Sequence, residues 1–363
     1  MKRVLAIAVA CAAVLAAKAD TANALIRLLN SRAAGSPRGY AEAAAEVAKD
    51  AAAGKPLQCY VLAIISRDPK APPAARLDAA TREKYISSTR GRIEKLALAK
   101  NNPLAWYLLS LDTNDTNLLQ RAALGGNVQA LNAWGSLLVG RALHGGYGTN
   151  EVAEIFTQAF DCFKKAAGEG DANGLYNLGT CYARGIGTKR DDEMAFNCFR
   201  NSAENGHPEA INNIGWFFRE GRIVKKDLEL ATKWFEKSAS YCNQYGEYNY
   251  ALALQRGEGT PKDEKKAVEY FKRAADGGCI EAMDSYGVAL WKGIGVEKNE
   301  TEAFRWLVRS ANLGYPPAME NVATCYEMGK GVRADQTQAT RWRIRSKAAR
   351  GDRNAAAWLN QNP

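Results

Sequence analysis

The sequence predicts an all-α chain, a solenoid of helix-turn-helix repeats with a period of 36 residues, because three registers share that spacing. Gly185, Gly221, Gly257, Gly293 and Gly329 form the first; Ala195, Ala231, Ala267, Ala303 and Ala339 the second; Asp191, Asp227, Asp263, Asn299 and Asp335 the third. Self-similarity at a fixed period of about 20 to 50 residues marks an architecture in which each repeat buries its apolar face only against its neighbours.

Each repeat divides into two helices. In helix A, Ala210, Ile211, Ile214, Gly215 and Phe218 fall on one face. It stops near Gly221, since a left-handed residue commonly ends a helix and glycine adopts that conformation without steric penalty. A short polar loop follows, as at Gly185 to Arg190. Helix B opens at the Asp/Asn register, where a side-chain oxygen accepts from a first-turn N–H. Asn299 with Glu302, and Asp335 with Gln338, are compatible with capping boxes. Ala231, Trp234, Phe235 and Ala239 then share a face, as do Ala267, Tyr270, Phe271 and Ala275, and Ala303, Trp306, Leu307 and Ala311. The small alanine admits the neighbouring helix and the aromatic fills the space between repeats. Gly206, Gly278 and Gly314 end helix B.

Tyr176, Leu178, Gly179, Tyr182, Gly185 and Gly187, followed by Asp191 and Ala195, make a pattern that resembles the Sel-1-like repeat family, a relative of the tetratricopeptide repeat. The resemblance runs over roughly Val128 to Gly351, about six repeats, and implies a right-handed α/α superhelix. It further implies noncovalent recognition: scaffolding, assembly of envelope complexes or regulation of another protein. Two hairpins depart from the pattern. Arg222-Ile223 replaces a Gly-x-Gly loop ending, and Ser240 to Gln244 replaces the small-residue exit, so these are expected to be tilted or loosely capped.

Residues 1–19 read as a cleaved export signal: Lys2 and Arg3, an apolar run Val4 to Ala17, and Ala17-Lys18-Ala19 before Asp20. The run is short for a bilayer span, and Cys11 lies in the middle of it, a poor context for lipid attachment. A periplasmic or secreted protein is therefore expected, with no integral membrane span in the mature chain. Residues 20–124 are helix-like but their repeats are degenerate, as terminal repeats usually are. Arg67 to Pro73 is read as a proline loop. Residues 125–351 carry the regular repeats, and residues 352–363, with Trp358, supply a closing helix and tail. Gly135 to Gly179 is 44 residues rather than 36, and the excess is read as an insertion around His144 to Thr149 in the first regular hairpin.

Formal net charge is +10, or +7 once Lys2, Arg3 and Lys18 leave with the signal. The densest basic cluster is Arg341, Arg343, Arg345, Lys347, Arg350 and Arg353, either a site for an anionic partner or the solvated side of a capping helix. No nucleic-acid module accompanies the charge, and export disfavours such a partner. Without Cys11 the cysteine count is odd, so at least one thiol cannot pair within the molecule. Cys181 lies symmetrically opposite Cys198 about one turn and opposite Cys162 about another. One bridge from Cys181 to Cys198 or Cys162 is possible, as are three buried thiols, since packed helix axes at about 8 to 10 Å lie wide for a disulfide. Exported helical-repeat relatives carry regularly spaced disulfides, a spacing absent here.

Catalytic motifs are missing. His144 and His207 are the only histidines, neither sits in a nucleophile-and-base motif, and no phosphate-binding loop, zinc helix or nucleophile elbow occurs. No metal, cofactor or enzymatic activity is expected, and the Asp register is assigned to helix caps. By analogy with tetratricopeptide geometry, Leu178, Gly179 and Tyr182, with Ile214, Gly215 and Phe218, are core. The same analogy assigns the groove wall to Tyr176, Thr180, Asn212, Trp216, Arg219, Tyr248, Leu252, Asp284, Val288, Trp291, Glu320 and Thr324. Aromatic and arginine anchors concentrate binding energy, so the expected partner is a peptide or protein segment held by a monomer. Two alternatives follow from the resemblance: a cell-envelope carbohydrate or peptidoglycan binder using the aromatic row, or, because relatives bind β-lactam-like compounds, a hydrolase of such or of cell-wall substrates.

Overall fold

Helices begin and end where capping chemistry puts them. The computed structural model describes residues 37–53, 56–67 and 71–361, and these contain helices and no strand. The signal segment with Cys11, and residues 68–70 of the proline loop, lie outside the described residues. The chain divides into two compact units, one reaching Ala210 and the other starting at Ile211.

The first unit holds α1 (Pro37–Ala52), α2 (Pro56–Ile65), α3 (Ala79–Lys100), α4 (Pro103–Thr113), α5 (Thr116–Leu124), α6 (Val128–His144), α7 (Thr149–Gly168), α8 (Ala172–Arg184) and α9 (Asp192–Glu204). A 3-10 turn, Pro73–Ala75, separates α2 from α3. The first turn of α10 (Pro208–Glu220) also belongs to it. The degenerate region thus keeps the helical-hairpin plan, with Tyr60, Ile65, Ile93 and Leu108 in a continuous core that reaches Leu131 and Ala166.

The expected insertion takes a different form. Only residues 145–148 separate α6 from α7, and the extra length is helical: 17 residues in α6 and 20 in α7, against 13 in α8 and in α9. Gly145 and Gly146 simply close α6, with the Gly145 N–H donating to the Arg141 carbonyl and Tyr147 folded over Gly145.

The second unit continues α10 and adds α11 (Leu228–Ser240), α12 (Gln244–Arg256), α13 (Glu264–Asp276), α14 (Ile280–Lys292), α15 (Glu300–Asn312), α16 (Pro316–Met328), α17 (Gln336–Ala349) and α18 (Arg353–Gln361). Each helix B is capped as expected: Asp227, Asp263, Asn299 and Asp335 each accept the backbone N–H three residues on. The closing helix is α18, which buries Ala355 and packs on α17. No helix among the described residues is long and apolar enough to cross a membrane.

Close approach explains two glycine registers. A Cβ on Gly215 would sit 2.6 Å from the Phe235 ring, so helix A must be bare where the helix B aromatic lands. In the loops, Gly295 has φ +70° and a Cβ there would lie 2.2 Å from the Glu264 carbonyl oxygen, as the loop rests on the preceding helix B. The departing hairpins keep this backbone without glycine: Ile223 has φ 65° and Cys242 φ 57°. Both caps are formed with residues for which that conformation is strained.

Candidate functional site

Polar side chains in the middle of helix A join one repeat to the next. In the second unit the Asn249 amide donates to Asn212 Oδ1 at 2.8 Å, and the Asn321 amide donates to Asp284 Oδ1 at 2.8 Å. In the first unit the Asn177 amide donates to Asn132 Oδ1 at 3.4 Å, while the Asn132 amide donates to Asp171 Oδ2 at 2.8 Å. Helix B adds a second weld, within each hairpin: the buried Ser202, Ser310 and Ser346 hydroxyls donate to the Ala172, Ile280 and Pro316 carbonyls of their own helix A at 2.7, 2.9 and 3.2 Å. Each such bond is worth about 0.5 to 1.5 kcal/mol; the helix A bonds fix the stacking register between repeats and the serines the closure of each hairpin. Asn177, Asn249 and Asn321 differ by multiples of 36, so the sequence carries a signal for this ladder.

These bonds change the status of several expected groove residues. Asn212 is 7% exposed and its Oδ1 accepts from Asn249, so it belongs to the contact between repeats. Asp284 is half-buried and bonded to Asn321; burial raises its carboxyl above the usual range, partly offset by that bond. Tyr248, Leu252 and Trp291 are half-buried, packed against the core around Phe271 and Leu290, and burial pushes the Tyr248 hydroxyl up to about 12. Val288 packs on the core around Leu307 and Val322. The Thr180 and Thr324 hydroxyls donate to carbonyls one turn back on their own helices, at 3.0 Å each. Trp216 differs from all of these, being 43% exposed with the Arg219 guanidinium 4.7 Å from its ring centre. Glu320 lies 3.9 Å from Arg343, which is also paired bidentately with Glu327.

In the first unit a cleft of about 420 Å³ opens along the helix A faces of α6 and α8. Asn132, Asn173, Tyr176, Asn177, His207 and Glu209 are among its walls. His207 is 4% exposed, and burial pushes its imidazole down to about 4, so it is neutral near pH ~7. Its Nδ1 accepts the Ala210 N–H at 3.4 Å, capping α10 as Asn127, Asp171 and Asn243 cap other A helices. Glu209 lies 3.3 Å from the same nitrogen; the low pKa means that this contact is not a charged pair. The imidazole stacks on Tyr176, ring centres 4.5 Å apart and 14° from parallel. Phe199 lies 5.7 Å from the same tyrosine ring.

Cys162, Cys181 and Cys198 are free thiols, the second of the two arrangements open from the sequence. A Cβ built on Gly179 would lie 3.2 Å from Cys198 Cβ, so Cys198 packs over Gly179, in the same core cluster as Cys181. Cys162 packs against the core around Leu131, whereas Cys181 lies in the cluster with Leu138 and Phe163. Burial pushes Cys181 up to about 12 and Cys198 up to about 11, which suppresses their thiolates.

The basic cluster is partly neutralised or stacked. Arg343 is paired as above, and Arg345 lies over Trp342 at 4.7 Å. That stacking recurs along the B helices, with Lys237 over Trp234, Arg273 over Tyr270 and Arg309 over Trp306 at 5.0, 4.8 and 5.2 Å. The aromatics are the inter-repeat fillers read from the sequence, and each cation shields its neighbour's outer face.

No curated protein matches the chain in sequence. Among solved structures, a Sel1 repeat protein from Oxalobacter formigenes is 26% identical, with a TM-score of 0.58, and the match covers 68% of this chain and all of that one. A protective antigen present in uropathogenic Escherichia coli strains, displaying an SLR fold, is 29% identical with a TM-score of 0.53; the match covers 66% of this chain and 50% of that one. The Sel1 repeat profile matches residues 137–171, 172–207, 208–240, 244–279, 280–315 and 316–343. With six consecutive matches over more than half its length, the chain belongs to the Sel1 repeat family.

Proposed function

We propose that the chain is an exported, monomeric and non-catalytic scaffold or regulator that binds a peptide or protein segment through its helix A faces. Sel1 repeats are commonly protein–protein interaction scaffolds. The observation that carries the proposal is Trp216, an indole 43% exposed beside a guanidinium on an otherwise well-packed helix. Trp and Arg are enriched where interface energy concentrates, and leaving such a pair in water has no packing benefit. Trp291, half-buried in the same unit, contributes its open edge.

Trp216→Ala combined with Trp291→Ala is expected to reduce partner capture at least about tenfold while far-UV circular dichroism stays at the wild-type level. Capture at wild-type strength would reject this face. Export is supported by the Lys2 to Ala19 segment. N-terminal sequencing of the protein from its native host is expected to begin at Asp20, and an intact Met1 terminus on a cytoplasmic pool would reject export.

A further inference from the structure

We propose that the cleft of the first unit receives an internal stretch of extended polypeptide, held by its main-chain amides and not by a charged chain end. The proposal rests on the reading of the chain as a peptide binder. Asn173 lines the cleft at 8% exposure, and its side chain bonds to no described residue. Its Oδ1 and Nδ2 are not sealed from solvent and open into the cleft, so the amide is free to give a ligand both an acceptor and a donor. His207 supplies a further donor. With Nδ1 accepting the Ala210 N–H, the proton of the neutral imidazole resides on Nε2, and no described residue accepts it. A peptide unit offers one N–H and one C=O, the complement of an asparagine amide beside a single N–H donor.

Other ligand classes fit this wall less well. No Lys or Arg lines the cleft, whereas Glu209 does, so a carboxylate or phosphate would meet a negative charge and no cation. A sugar would need an open aromatic face. Tyr176 is covered by His207 and Phe199, and Tyr107, the other aromatic ring in the wall, is 8% exposed. The volume of about 420 Å³ lies within the range of small-ligand sites.

The test immobilises the full chain and offers a randomised heptapeptide pool in two forms, one acetylated and amidated at its ends and one with free carboxylates, beside chito-oligosaccharides. Wild type is expected to retain the end-blocked peptides at least as well as the free acids, and no oligosaccharide. Asn173→Leu is expected to weaken that retention about tenfold, the worth of about 1.4 kcal/mol. Asn173 makes no bond, so the melting temperature should hold; if it falls, Asn173→Asp gives a second reading and should weaken retention similarly. Undiminished retention by both variants overturns the proposal, as does a preference for free acids or for oligosaccharides. Loss in the Trp216→Ala/Trp291→Ala protein with none in Asn173→Leu removes the cleft alone and leaves the peptide-binding function standing. Retention of no peptide by wild type overturns the cleft, and together with unchanged partner capture by the tryptophan pair it overturns that function too.

Discussion

Gly295→Ala is expected to cost about 2 to 5 kcal/mol, combining a left-handed alanine at about 1 to 2 with overpacking at about 1 to 3. The added methyl would lie 2.2 Å from the Glu264 carbonyl oxygen, a backbone atom on the preceding helix that cannot swing aside. Gly331 repeats this arrangement over Glu300, and Gly259 over Leu228, so the close approach is a property of the loop and not of one hairpin. The converse change is available in the same unit. Ile223 holds φ 65° with a β-branched side chain that is 55% exposed, so little packing compensates its strain. Ile223→Gly should therefore stabilise by about 1 kcal/mol. Urea unfolding followed by circular dichroism checks both, and a neutral Gly295→Ala would mean that the loop does not rest on the helix before it.

His207→Asn is expected to abolish a pH dependence while keeping the cap. The folded imidazole titrates near about 4 because it is buried, against 6.5 for the free side chain. A group whose folded pKa is depressed contributes stability that is whole above the unfolded value. Here it is lost as the pH falls from about 6.5 towards about 4, because the unfolded imidazole takes up a proton that the folded one refuses. The loss approaches about 3 kcal/mol at the acid end. Asn already serves as the cap at position 243, accepting the Gly246 N–H at 2.8 Å, so the variant should cap α10 without titrating. The readout is the difference in unfolding free energy between wild type and His207→Asn at about pH 7 and about pH 4, which cancels the carboxylates common to both. An unchanged difference would show that the imidazole is protonated in the folded protein and paired with Glu209.

The repeat architecture was legible because its determinants are local. A capping Asp, a terminating glycine and an alanine followed by an aromatic each act within one hairpin, and each is found where its register places it. What stayed hidden depends on the neighbouring repeat. Asn212, Tyr248 and Asp284 look like leftover groove residues on an isolated helix; only the approach of Asn249, Ser285 and Asn321 gives them partners. Asn177, Asn249 and Asn321 carry the same spacing as the glycines, but polar residues in mid-helix read as solvated until packing shows them inside. The insertion was misplaced for a similar reason. The glycines at 145, 146 and 148 dominate the local pattern, although the extra residues extend α6 and α7 on either side. Hairpin symmetry sets Cys181 opposite both Cys198 and Cys162 by position along the chain, and only packing shows that Cys198 lies over Gly179.

Site-specific photo-cross-linking in the native host separates the two helix layers. A photoreactive residue at Trp216 or Thr324 is expected to yield a discrete cross-linked protein, whereas one at Lys237 or Lys272, exposed on the B helices, is expected to yield none. Adducts from the B-helix positions alone would contradict a recognition surface built on helix A.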